Sequence, residues 1–333
     1  MNALVTGGGG FLGGAIVRLL VARGDTVRSL SRGRYPALEA LGVAQAQADV
    51  ADADAVAKAA AGCDVVFHVA AKAGLGGRYR DYYRANVAGA ESVIRACRLA
   101  GVGRLVYTSS PSVVFDGRDM EGVDESVPYP AHHDAHYPAT KAMAERAVRA
   151  ANGPDLATVA LRPHLIWGPG DNHLVPRILA RGRAGRLRRV GRKAKWIDSV
   201  YIDNAAEAHL LAADRLAPGS AVAGRAYFIS NGEPVPAWEL IDRILAAGGV
   251  GPVRRTVPVW AAVASGWVLE GVYAALWPDA EPPMTRFLAR ELATAHWFDL
   301  TAARRDLGYA PRVSLEEGLR RLAAALTKPD AAR

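Results

Sequence analysis

NALVTGGGGFLG, residues 2–13, runs from a short apolar strand through a glycine loop into the start of a helix. Gly7, Gly10 and Gly13 fall in a G-x-x-G-x-x-G pattern. Glycines so placed permit a tight turn, close backbone approach to a pyrophosphate, and close packing of helix on strand. The helix N-terminus beyond them offers free N–H groups and a partial positive charge to phosphates. A glycine-rich loop alone is no more than a tight strand-to-helix turn. At the head of an alternating α/β chain it predicts a dinucleotide site, with Phe11 and Leu12 beside the glycines.

Outward from this loop, strand and helix patterns alternate. Residues 11–23 carry Ile16, Leu19 and Leu20 at helical spacing, and 26–31 read as a strand. Helices are expected over 53–61, 84–100 and 138–152, with strands over 64–69, 105–109 and 158–162. Such alternation predicts a parallel sheet with helices on both faces. The Val-rich strands, apolar on both sides, suit a doubly covered sheet. After Pro163 the beat stops at the turn cluster Gly168-Pro169-Gly170-Asp171. A basic stretch (177–195), a short strand (199–201), a helix (204–214) and a strand (226–229) follow, and then a mainly helical C-terminal third. The expected fold class is α/β: a doubly wound parallel sheet of Rossmann type with a smaller, mostly helical C-terminal substrate lobe. The expected division is a dinucleotide domain, 1–165 with returning segments at 198–230, interleaved with a substrate lobe, 166–197 and 231–333.

A carboxylate at the end of the second strand would bind a ribose 2′-OH and favour NAD. Here that place holds Ser31, then Arg32 and Arg34. Hydroxyl and guanidinium groups suit a 2′-phosphate, so NADP(H) is the expected cofactor. Further on, Tyr137 and Lys141 stand four apart behind Pro138 and face one side of a helix. A phenol of pKa near 10 is a poor acid/base at neutral pH, and a nearby ammonium would lower that pKa. The pair follows the strand ending Thr108-Ser109-Ser110, where a hydroxyl can donate to a carbonyl gaining negative charge.

These residues resemble the extended short-chain dehydrogenase/reductases over nearly the whole chain. The likeness takes in TGGGGFLG (6–13), Asp49-Val50, HVAA (68–71), Asn86-Val87, YTSS (107–110), YPATK (137–141), Arg162-Pro163, WGPG (167–170), YIDN (201–204) and LGY (307–309). It implies that Ser110 orients the substrate carbonyl, Tyr137 transfers the proton, and Lys141 holds the ribose and tunes Tyr137. It implies also that Asp49 and Val50 border the adenine, and that Ala70, Ala71 and Lys72 line the cofactor groove, with Thr108 and Pro163 beside it. Within that group the chain resembles the 3β-hydroxysteroid dehydrogenase branch. HVAAKAG (68–74), SSPSVVFDG (109–117) and LRPHLIWGPGDNHLVPR (161–177) are similar to the reductases of 2-alkyl-3-oxoalkanoates in bacterial long-chain olefin synthesis. The implied reaction reduces a long-chain β-keto acid to the β-hydroxy acid. The alternatives are a sterol substrate, a nucleotide-sugar epimerase or dehydratase, and an NADP(H)-sensing module without turnover.

The bulk numbers leave room for this. The 333 residues, half of them apolar, suffice for one large or two modest cores. Net charge is +8. Eight cations lie over 181–195, from Arg181 to Lys195, but without interleaved aromatics nucleic-acid binding is not expected. A solvated face is the first reading and docking of an acidic group the second. His132 and His136 have helical spacing, but no thiol or carboxylate completes a metal site, and none is expected. His136 is placed to touch substrate; His164 and His173, near the expected cleft, could meet a carboxylate. Cys63 and Cys97 read as reduced thiols, and with no leader pattern at the N-terminus a cytoplasmic protein is expected. Residues 258–277 are apolar and nearly long enough to span a bilayer, interrupted by Gly266 and Glu270. The preferred reading is a helix covering an apolar substrate site; an interfacial segment with peripheral membrane contact is the other. A homodimer, a lipidic substrate and partner enzymes of the same pathway complete the expectations.

Overall fold

The computed structural model describes residues 1–327. Seven parallel strands form the main sheet: β1 (Asn2–Thr6), β2 (Thr26–Ser31), β3 (Ala44–Gln47), β4 (Val65–His68), β5 (Arg104–Thr108), β6 (Ala157–Pro163) and β7 (Ala226–Ile229). Their order across the sheet is β3-β2-β1-β4-β5-β6-β7. Winding therefore proceeds one way from β1 and then reverses, and the ends of β1 and β4 diverge into a crevice.

Consecutive strand residues bury on opposite faces, as a pleat requires. Ala3 and Val5 of β1 join one core with Ile16 and Leu20 of helix α1 (Phe11–Ala22). Leu4, between them, joins the other core with Val56 of α2 (Ala53–Ala60), Val93 of α3 (Gly89–Ala100) and Val148 of α4 (His136–Ala150). Each such side chain contributes about 1.5–3 kcal/mol by leaving water. The expected helix over 84–100 is longer than its sequence pattern. Helical backbone begins at Tyr79, passes through a π-turn at Tyr83–Ala88, and continues as α3. The extra residue per turn shifts the apolar register there, which hid the first part of the helix.

The basic stretch opens with a helix, α5 (Leu174–Arg183). Helix α6 (Ile202–Arg215) then covers the α1 face of the sheet before β7. A second, four-stranded sheet joins Val235–Pro236, Trp196–Ile197, His296–Phe298 and Met120–Val123. Met120–Val123 thus leaves the first half of the chain to pair with its C-terminal third. Further helices of the C-terminal third are α7 (Ala237–Ala247), α8 (Val259–Leu276), α9 (Arg286–Glu291) and α10 (Leu315–Thr327).

Helix α8 does not do what its sequence suggested. It does not line the cavity that opens from the glycine loop; Phe287, Leu288 and Glu291 of α9 do. Only Ala262 and Gly266 of α8 are buried. The reason is steric: α8 seats its small residues on the start of α9, and its large apolar side chains point outward.

The glycine loop shows the tightest packing. A Cβ on Gly13 would sit 2.2 Å from the Gly7 carbonyl oxygen. Gly7 has φ of +73°, and a Cβ there would meet the Ala70 backbone at 3.0 Å. Gly13→Ala is expected to cost about 1–3 kcal/mol of stability, as forced overpacking does. The measurement is the denaturant midpoint; an unchanged midpoint would mean that the loop yields freely.

Candidate active site

The crevice between β1 and β4 is fixed by one side chain. The Thr6 hydroxyl bonds His68 Nδ1 at 2.8 Å and accepts from the Val69 and Ala70 amides, each at 3.2 Å. Burial and the neighbouring Lys141 push the His68 pKa down to about 3, so the ring stays neutral. Asn86, at the π-turn, holds the next residues. Its carboxamide accepts from the Lys72 amide (2.8 Å) and donates to the Lys72 carbonyl (3.1 Å) and Thr140 Oγ1 (3.0 Å).

From this crevice a cavity of about 920 Å³ runs toward the C-terminal third. The structure brings the residues singled out for cofactor or catalysis to its wall, with the exception of Arg34. At one end are Gly7, Gly10, Phe11, Leu12 and Gly13, with Ser31, Arg32, Asp49 and Val50. Ala70, Ala71, Lys72, Thr108 and Pro163 lie along the middle, with Ser110, Tyr137 and Lys141. Arg34 is not on the wall; Tyr35 is.

The residues fit a nicotinamide dinucleotide. The loop at Gly7 and Gly13 has no room for side chains, so its backbone can meet a pyrophosphate directly. The Ser31 hydroxyl is buried without a partner beside Arg32. Asp49 is held below the usual carboxylate range by the Ala51 amide first and then by the Arg84 side chain, whose Nε is 3.1 Å away. Arg84 itself lines the cavity.

Helix α4 carries the reactive groups. Tyr137, Lys141 and Glu145 follow one another at four-residue spacing on its inner face. Glu145 is anchored by a buried pair with Arg162 (2.6 Å) and accepts from the Tyr129 hydroxyl (2.5 Å). Lys141 donates to the Thr108 carbonyl at 2.5 Å and sits 4.2 Å above the Tyr107 ring. Burial pushes the Lys141 pKa down to about 7, opposed by the Glu145 charge. The Tyr137 phenol is raised by burial, the Ser110 side chain pulling the other way and the Glu291 charge adding to the rise. Proximity of an ammonium was expected to lower the phenol. In this geometry Lys141 is engaged with Thr108, and Ser110 is the group that favours the phenolate. Ser110 is in turn oriented by Ser112, their oxygens 2.9 Å apart.

The far wall holds what the sequence did not reveal. Glu291, the last residue of α9, faces the cavity among Phe287, Leu288 and Phe298, and burial raises its pKa to about 8. His164 lines the cavity with Nδ1 2.7 Å from Asp198. Leu165, next to it, has φ of +43°, a strained value that fixes the turn of the wall. His173 is on the wall, with Arg177, which pairs with Glu281 at 2.5 Å. His136 is not: its ring packs on Tyr79 and Tyr82, at 5.4 and 5.9 Å. No short-range motif marks Glu291 or Asp198, since their place depends on the second sheet. Asn86 and Arg84 had a visible signal in the residues flanking Asn86-Val87.

Comparison with known proteins agrees with this geometry. The chain is 54% identical to the 2-alkyl-3-oxoalkanoate reductase of Stenotrophomonas maltophilia (strain K279a), over 97% of this chain and 99% of the relative. It is 50% identical to the 2-alkyl-3-oxoalkanoate reductase of Shewanella oneidensis, over 98% of this chain and 86% of the relative. Among solved structures, the NAD complex of the UDP-glucose 4-epimerase of Thermus thermophilus superimposes with a TM-score of 0.74 at 24% identity, covering 100% of both chains, a likeness of fold. The sequence profile of one family matches residues 4–258. With a cavity that joins a phosphate-ready glycine loop to a Ser-Tyr-Lys set, this chain is an oxidoreductase of the extended short-chain type and belongs to the 3-beta hydroxysteroid dehydrogenase/isomerase family.

Proposed function

We propose that this chain reduces the ketone of a long-chain 2-alkyl-3-oxoalkanoate to the 2-alkyl-3-hydroxyalkanoate, reversibly, with NADPH, as a step of olefin or hydrocarbon synthesis. The observation that carries this reading is the meeting of Ser110 and Tyr137 with an apolar wall in one cavity. Full-length identity to two reductases of that name supports the substrate class.

When bound, a nicotinamide dinucleotide would supply the hydride; Gly7, Gly10 and Gly13 would receive its pyrophosphate, Asp49 and Val50 would border the adenine, and Ser31 with Arg32 would meet a 2′-phosphate. Ser110 donates a hydrogen bond to the ketone oxygen. Tyr137, a neutral phenol whose pKa burial raises further, gives its proton to that oxygen as negative charge develops. Lys141, seated on the Thr108 carbonyl, would hold the ribose hydroxyls. Phe287, Leu288 and Phe298 offer hydrocarbon to the alkyl chains, and His164, fixed by Asp198, stands on the wall where the acid end would lie.

Tyr137→Phe is expected to keep NADPH binding and to lose at least about 100-fold in turnover on a long-chain β-keto acid. Absorbance of the reduced nicotinamide is the readout, with a 3-ketosteroid and a nucleotide sugar as comparison substrates. Unimpaired turnover by this variant would remove Tyr137 from the chemistry; a faster ketosteroid would replace the substrate class. Arg32→Ala is expected to weaken NADPH at least about tenfold more than NADH, the loss of one charge-assisted phosphate contact. Equal weakening of both would refute the 2′-phosphate assignment.

Glu291 gives a pH signature. Its carboxyl ionises at about 8 in the folded chain against an ordinary 4.5, so the folded state holds the proton more tightly. Its contribution to stability is full below pH 4.5 and is lost as pH rises through about 8. Glu291→Gln is expected to abolish that part of the decline. The check is the wild-type-minus-variant difference in unfolding free energy across this window; a flat difference would show an ordinary carboxylate.

A further inference from the structure

Helix α8 presents a surface helix turned inside out. Its outward stripe is Trp260, Ala264, Trp267, Val268, Val272 and Leu276, all exposed. Trp260 is 74% exposed and Trp267 67% exposed. Trp277, just past the helix end, is 54% exposed. A helix facing water normally carries charged side chains on such a stripe.

The inward side is polar where it matters. Glu270, the one charged residue of α8, turns toward the protein and accepts from the Arg286 amide (2.7 Å) and the Arg286 guanidinium (2.6 Å). Gly266 lets α8 approach the start of α9 so closely that a Cβ would stand 2.6 Å from the Arg286 nitrogen. These contacts pin α8 along the surface. Crossing a bilayer would strip them away, although the helix is apolar and long enough by composition.

Cations gather at its first turn. Arg189–Val190 pairs with Thr256–Val257, and the Gly191 amide donates to the Val257 carbonyl at 2.9 Å. This pairing sets residues 191–193 and 254–255 beside the start of α8, where Gly191 nearly touches Val259. Arg192, Lys193, Arg254 and Arg255 are exposed and, among the described residues, form no ion pair. Their neighbours Arg189 and Lys195 are paired, with Asp242 and Asp119.

We propose that this face rests on an anionic lipid bilayer, with the α8 stripe at the acyl boundary and the four cations on the headgroups. Exposed tryptophans beside basic residues suit that boundary, where indole is half apolar and cations meet lipid phosphate. Phe287 and Leu288 of α9 line the cavity one helix behind the stripe, which places the catalytic cavity close to the lipid. The placement holds whatever the substrate is.

The test uses the purified full chain and sedimentation with vesicles. One set is phosphatidylcholine with phosphatidylglycerol, the other phosphatidylcholine alone. Binding to the anionic set is expected to be at least about tenfold tighter and to weaken with salt. Tryptophan emission should shift to the blue with that set. The double variants Trp260→Ser/Trp267→Ser and Arg192→Glu/Lys193→Glu should each bind at least about tenfold more weakly, with unchanged circular dichroism and melting temperature. Failure of the wild type to sediment, or variants that bind as it does, would overturn the proposal. So would light scattering that shows a dimer dissolved by the tryptophan variant, without vesicle binding.

Discussion

The Thr6 hydroxyl is the small contact on which the architecture of the site rests. Strands β1 and β4 lie side by side, yet their following loops must part to opposite sides of the sheet. Parting leaves backbone amides at 69 and 70 without strand partners, and unpaired buried amides are costly. Thr6 satisfies both and the His68 ring as well. The crevice can then stay open against the pull of the hydrocarbon on each side. A methyl in place of the hydroxyl would leave three polar groups unsatisfied, and a larger side chain would fill the space the glycine loop needs.

A second constraint sets where Tyr137 and Lys141 stand relative to this crevice. Helix α4 is held to β6 by the Glu145–Arg162 pair, with both side chains almost wholly out of water. Breaking one partner of such a pair costs about 3–5 kcal/mol, because the survivor is left charged and buried. The pair therefore supplies position more than net stability. Glu145 lies one turn beyond Lys141 and two beyond Tyr137, so fixing Glu145 fixes the reactive face of the helix. Its charge also supports the Lys141 proton against desolvation.

Much of this was legible in the chain. The parallel sheet followed from alternation and from Val-rich strands, and the crevice from the position of GGGG between β1 and α1. The glycine loop and the Tyr137–Lys141 pair came from local motifs, while Ser110, Asp49, Val50 and residues 70–72 came from the resemblance to a known family; each lies within a few residues of a strand end or a helix start. What stayed hidden depends on partners distant in sequence. Glu291 reaches the cavity because His296–Phe298 pairs with Met120–Val123, a register no window around residue 291 contains. The π-turn at Tyr83–Ala88 broke the period that would have marked the helix from Tyr79. Helix α8 was legible as apolar but not as outward-facing, since that depends on how Gly266 seats against α9.

The proton inventory of the cavity says which half-reaction the resting protein is dressed for. The phenol of Tyr137 carries its proton at neutral pH as any phenol does, and burial raises its pKa further. Burial raises Glu291 to about 8, so that carboxyl is mostly neutral as well. The same desolvation brings Lys141 down to about 7, leaving it shared between ammonium and amine. All three shifts have one cause, and they act in one direction: the cavity disfavours net charge. A neutral phenol beside a hydroxyl is a proton donor, suited to an oxygen that becomes an alkoxide as a ketone is reduced. An enzyme does not set the equilibrium between ketone and alcohol, and the reverse reaction must pass through the same transition state. It must begin, though, with a phenolate that this hydrocarbon wall penalises. The hydrocarbon lining of the cavity therefore adds to the tendency of Tyr137 to keep its proton.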